Sequence, residues 1–126
     1  MRFHAIVLTA AFLIPAAAYA SDECEKYRTS YDKTYCMAKL FVESDKELNS
    51  TYNELRGKIG AASKEQLKST QVAWIRHRDN ACEAYGTIDV DCNYRVNRER
   101  AEYLRDRLRE CKAGTCRSDM IVKRSW

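Results

Sequence analysis

Residues 30–59, SYDKTYCMAKLFVESDKELNSTYNELRGKI, contain no proline and place apolar or small residues at Cys36, Leu40, Ser44, Leu48, Thr51, Tyr52, Leu55 and Ile59. That three-and-four spacing puts them along one face of an α-helix, with charged side chains on the other. Gly57 and Gly60 predict where it stops. Downstream, Ser63-Lys64-Glu65-Gln66 has the form of a capping box, in which Ser63 and Gln66 satisfy free N–H groups at the start of a second helix. Its inward stripe, running towards Tyr85, is Leu67, Gln71, Trp74, Ile75, Arg78 and Cys82. Gly86 breaks it, Asp89 or Asp91 caps a third helix, and Val96, Arg100, Leu104, Leu108 and Cys111 form the third stripe, with Gly114 suited to its end. The expected fold is all-α, a small antiparallel bundle of about three main helices.

Upstream of this bundle lies a targeting signal. Arg2 supplies a positive end, residues 5–18 form an apolar run, and Ala18-Tyr19-Ala20 is a small-x-small cleavage site. The run is shorter than the ~20 residues a membrane span needs and contains Pro15, so residues 1–20 read as a removed leader rather than an anchor. A lipoprotein would need a cysteine directly after the apolar box, whereas Cys24 follows Ser21-Asp22-Glu23. The product is expected to begin at Ser21 and to be periplasmic or secreted.

Export sends Cys24, Cys36, Cys82, Cys92, Cys111 and Cys116 into an oxidising compartment, where an even number in a short chain reads as three disulfides. Two positions twelve apart on one helix would be about 18 Å apart, beyond the ~7 Å a disulfide tolerates, so Cys24 belongs to a segment folded back onto helix one. Joining Cys82 to Cys92 clamps the turn between helices two and three, worth roughly 2–3 kcal/mol in the chain-entropy model. Cys111 and Cys116 meet only if helix three stops between them. Sequential pairing is therefore expected. The disulfide-linked domain spans residues 21–116, and the tail, residues 117–126, is either draped on the bundle or loose.

The remaining candidate sites have bland alternatives. There is no C-x-x-C, and His77 is the only histidine past the leader, so neither a metal nor another cofactor is expected. Committed cysteines leave no thiolate nucleophile, and no phosphate-cradling glycine loop is present, so an enzyme is the least supported class. Past the leader there are 21 basic and 18 acidic residues, a formal charge of +3 that commits to neither nucleic acid nor membrane. Helix three carries Arg95, Arg98, Arg100, Arg105, Arg107 and Arg109, but Glu99, Glu102, Asp106 and Glu110 interleave at ion-pair spacing. Trp74 is expected at the centre of the core. Arg78, Asp79 and Arg100 flank it, with Asp45 and Asn49 placed to face them from helix one; a structural polar network is the default, an anion or carboxylate site its rival.

Three stretches carry a family resemblance. Asp45-Lys46-Glu47-Leu48-Asn49-Ser50-Thr51-Tyr52 matches an Asp-x-x-Leu-Asn-x-x-Tyr helix, and residues 71–82 match Gln-x-x-Trp-x-x-x-Arg-Asp-x-x-Cys through Gln71, Trp74, Arg78, Asp79 and Cys82. Cys92, Arg100 and Leu104 follow at similar spacing, and Cys24 with Cys36 fits upstream. The combined pattern resembles the lysozyme inhibitor LprI family. The resemblance implies an exported helical domain with lysozyme inhibition as its named activity. The chain departs from the family's namesake in lacking a lipoprotein cysteine and in adding Cys111, Cys116 and the tail.

Residues 79–94 contain Asp79, Glu83, Asp89 and Asp91 and no lysine or arginine, a formal −4 beside +7 for the rest of the exported chain. In the bland reading these acids favour helix N-termini. The functional reading is a clamped, acidic loop, with Tyr85, Thr87, Asp89 and Asp91, offered to a basic protein partner such as lysozyme or another cationic wall hydrolase. Other expected classes are an envelope structural or chaperone-like protein and an immunity protein.

Overall fold

The computed structural model describes residues 23–124 and 126; the expected leader and the Ser21 start lie outside them. Three long helices, α1 (Ser30–Lys58), α2 (Ala61–Cys82) and α3 (Val90–Lys112), are joined by a tight corner and by a two-stranded hairpin, β1 (Glu83–Ala84) with β2 (Thr87–Ile88). A single-turn helix, α4 (Ser118–Ile121), follows. Cross-contacts fix the directions. Ser44 meets Asn97 and Glu54 meets Lys112, so α1 and α3 run parallel, while Gln71 meets Arg100 and Arg78 meets Asn97, so α2 runs against α3. The bundle is up-down-up, each helix antiparallel to the next along the chain.

Local chemistry explains most boundaries. Thr29 caps α1 by accepting from the Asp32 N–H at 3.0 Å, and Arg56 and Lys58 sit at the negative end of the helix dipole. Asp89 caps α3 through Oδ1, accepting from the Cys92 N–H at 2.9 Å. The other end of α3 is closed by Gly114 at φ +109, with Thr115 N–H donating to the Glu110 carbonyl and Gly114 N–H to that of Cys111, the paired bonds of a Schellman turn.

Two boundaries differ from the sequence expectation. The capping box at Ser63 does not form: α2 begins at Ala61 after an extended Gly60 that offers no side-chain cap, and the Ser63 hydroxyl lies 3.3 Å from that of Ser118. Ile59 and Leu67 are both buried on either side of the corner, and the Lys64 N–H donates to the Gly60 carbonyl at 2.9 Å, so the helical bonds start directly after Gly60. Helix α2 also stops at Cys82 rather than near Tyr85, because the next residues exchange helical bonds for hairpin pairing, Glu83 with Ile88 and Ala84 with Thr87. Ile75, expected inward, is exposed.

The main core joins Leu48, Leu55 and Ile59 to Leu67, Trp74, Ala101, Leu104 and Leu108. Each such aliphatic side chain contributes about 1.5–3 kcal/mol on full burial. Ile121 from the tail completes this cluster at 1 % exposed, and the Tyr103 hydroxyl donates to the Met120 carbonyl, so the tail is draped on the bundle. A second cluster packs Cys24, Met37 and Tyr94 together, which is how the segment before α1 folds back. The disulfides are Cys24–Cys36, Cys82–Cys92 and Cys111–Cys116, the sequential set. Among the described residues no helix is long and apolar enough to cross a membrane.

Candidate functional site

The hairpin between α2 and α3 is built by its sequence. Tyr85 and Gly86 occupy the two central positions with φ of +52° and +76°, the pattern of a type I′ turn that matches the twist of paired strands. Glycine adopts this region freely; tyrosine does so at a cost of about 1–2 kcal/mol. The Cys82–Cys92 bond closes the base, with Cα atoms 5.4 Å apart, and the Asp89 N–H donates to the Cys82 carbonyl at 2.9 Å. The Tyr85 ring at the tip is fully exposed, and Ile88 is exposed beside it.

The four carboxylates of this region are less free than their charge suggests. Asp79 accepts from Arg78, Asp91 pairs with Arg95 at 3.1 Å, and Asp89 caps α3. Of these four, Glu83 alone makes no such bond among the described residues. Thr87 donates its hydroxyl to the Ala84 carbonyl at 2.6 Å, bracing the turn from within. Of the loop residues expected to contact a partner, Tyr85 therefore offers the unengaged donor, and Asp89 and Asp91 present their outer oxygens from the first turn of α3.

The motif shared with the resemblance sits one layer away. Arg78 donates to Asp79 from Nε (3.0 Å) and Nη2 (2.8 Å) and to Asn97 from Nη1 (3.3 Å), and that nitrogen lies 3.6 Å from Asp45 on α1. Asn49 donates to Asp45 rather than meeting an arginine, at 3.1 Å. Trp74 is 3 % exposed, with the Arg78 and Arg100 guanidiniums 5.4 and 6.0 Å from its ring. Leu48 and Leu104 are core, Tyr52 is half-buried against it, and Gln71 accepts from Arg100 Nε at 3.0 Å. Burial draws the Arg100 pKa down to about 10, leaving it charged at neutral pH.

Two members of this layer were not evident in the sequence. Asn97, fully buried, links Arg78 to the Ser44 hydroxyl, and Glu47 bridges Arg98 and Arg105 from the neighbouring helix. Asn97 stands one turn before Ala101 and Leu104, so its position on the α3 face was the available signal; its polarity concealed it.

A family model described as lysozyme inhibitor LprI matches residues 21–104, which takes in the three motif stretches, the hairpin and the first two disulfides. Comparison with curated proteins and with solved structures finds no match. The matched span covers most of the bundle and leaves outside it the end of α3, the Cys111–Cys116 bond and the tail. With the helices, the cysteine pairs and the motif residues in these positions, the chain belongs to the lysozyme inhibitor LprI family.

Proposed function

We propose that this protein is an exported binder that inhibits lysozyme or a related cationic wall hydrolase, acting by contact rather than by catalysis. Membership of the LprI family is the observation that carries the target class. We assign the contact to the Cys82–Cys92 hairpin. A short loop ordered before binding loses little conformational entropy when inserted into a cleft. Tyr85 supplies exposed area and a hydroxyl suited to one of the two carboxylates on which lysozyme chemistry depends. Asp89 and Asp91 then meet basic residues on the cleft rim, since inside it they would repel those carboxylates.

The net positive charge of the exported chain opposes long-range attraction to a basic enzyme, so association depends on this local patch. Inhibition is accordingly expected to be modest and to weaken with salt. The test is a cell-wall lysis assay with common-type lysozyme and the oxidised protein at low and physiological salt. Absence of inhibition at micromolar protein in both salts would refute lysozyme as the target. Undiminished inhibition by an Asp89→Asn, Asp91→Asn double variant would remove the charge patch from the mechanism. That variant should fold, because asparagine caps a helix as well as aspartate does and the exposed Asp91 pair is worth under about 1 kcal/mol.

A further inference from the structure

Helix α2 buries Leu67, Thr70, Gln71, Trp74 and Cys82 and turns Lys68, Val72 and Arg76, which recur every four residues, to solvent; the half-buried Lys64 stands one turn before them. The tail joins this strip. Lys68, Val72, Arg76 and Arg124 line a shallow surface groove of about 410 Å³, with Glu65 as the one carboxylate among its lining residues. Val122 and Arg124 line a second groove on the tail side, again with Glu65. Val72, Ile75 and Val122 are exposed. Five arginines of α3 each meet a carboxylate, whereas Lys64, Lys68, Arg76 and Arg124 form no ion pair among the described residues. Like charges one turn apart on a helix repel, and one carboxylate does not offset four cations.

We infer that this face, residues 64–76 of α2 with residues 122–124 of the tail, is a docking surface for an anionic lipid bilayer, with α2 lying along the membrane plane. Clusters of about four or more cations on a helical face draw a protein to anionic lipid, each adding to the attraction. Here aliphatic side chains stand between the charges: Val72 lies one turn from both Lys68 and Arg76, and Val122 shares a groove with Arg124. Cations meeting lipid phosphates while apolar side chains enter the headgroup layer is the combination by which interfacial helices bind. A nucleic acid would use the cations but would find no ring to stack on among the residues lining the two grooves. The hairpin shares none of these residues, so this docking stands apart from lysozyme inhibition.

Co-sedimentation of the oxidised protein with vesicles tests this, using phosphatidylglycerol mixed with phosphatidylethanolamine as the anionic surface and phosphatidylcholine as the neutral one. Binding to the anionic vesicles alone, weakening with salt, is expected. A Lys68→Gln, Arg76→Gln double variant should partition at least about tenfold more weakly, since two cations at the surface are lost. A Lys39→Gln, Lys46→Gln double variant removes the same charge from exposed positions of α1 and should lose much less. Val72→Ser, which keeps every charge, should also weaken binding, because its apolar side chain no longer enters the headgroup layer. All these positions are exposed, so the variants should fold as wild type does. No binding to anionic vesicles, equal binding to phosphatidylcholine, equal loss in the two double variants, unchanged binding by Val72→Ser, or tighter binding to an oligonucleotide than to the anionic vesicles would each overturn the assignment.

Discussion

Arg78 and Arg100 flank the same indole but differ in how their charge is met. Arg78 has Asp79, Asp45 and Asn97 around it, and both carboxylates are more than a third exposed, so solvent screens the attraction. Arg78→Ala is expected to lower stability by about 1–2 kcal/mol, an intermediate loss for a partly buried pair, measured by urea unfolding. Arg100→Met removes a buried charge that no carboxylate offsets, at the cost of an unpaired Gln71. It should leave stability within about 1 kcal/mol of wild type or raise it, because uncompensated buried charge is itself destabilising. Trp74→Ala leaves a large void among Leu67, Leu104 and their neighbours, and should cost about 3–5 kcal/mol in the same experiment. A melting curve like wild type's for Trp74→Ala would place that ring outside the core. The difference between the arginines was not legible in the sequence: both stand on expected inward stripes, and spacing says nothing of which has a carboxylate opposite it.

At the level of elements, the three helices were readable because their apolar periodicity persists for over twenty residues, long enough to outweigh individual polar intrusions such as Ser44 and Gln71. The corner before α2 was not, since Ser63 and Gln66 fit a capping box locally while the helical bonds start one turn earlier, directly after Gly60 and between the buried Ile59 and Leu67. The hairpin was foreshadowed by Gly86 and the flanking cysteines, but two-residue strands carry too little alternation to be seen. Here Tyr85 holds a positive φ that asparagine tolerates better. Tyr85→Asn should therefore raise the unfolding midpoint slightly, by the equivalent of up to about 1 kcal/mol. A lowered midpoint would mean that the exposed ring stabilises the fold through contacts its exposure argues against. Replacing Cys82 and Cys92 together by serine removes the clamp and should cost roughly 2–3 kcal/mol, seen by calorimetry as a lower transition.

For the molecule as a whole, three disulfides staple a domain whose core is modest for its length, and the third, Cys111–Cys116, fixes the turn from which the tail returns to cover Leu108 and Trp74 with Ile121. Intact mass after alkylation under denaturing, non-reducing conditions should show no modified cysteine. One or more alkylated thiols in folded material would contradict the three-bridge arrangement. Charge is also a property of the whole: five arginines of α3 are held in ion pairs, which spreads the basic residues over an internally neutralised face. What distinguishes the acidic end of the bundle is then the projection of Tyr85 from a disulfide-closed hairpin, beside Asp89 and Asp91.

The inhibition constant of Tyr85→Asn against common-type lysozyme, measured beside wild type at one low salt concentration, tests that projection most directly. If the hairpin tip is the inhibitory contact, the variant should inhibit at least about tenfold more weakly, as for loss of an aromatic anchor at the centre of an interface, while melting no lower than wild type. Equal inhibition by the two proteins would contradict the hairpin as the inhibitory element.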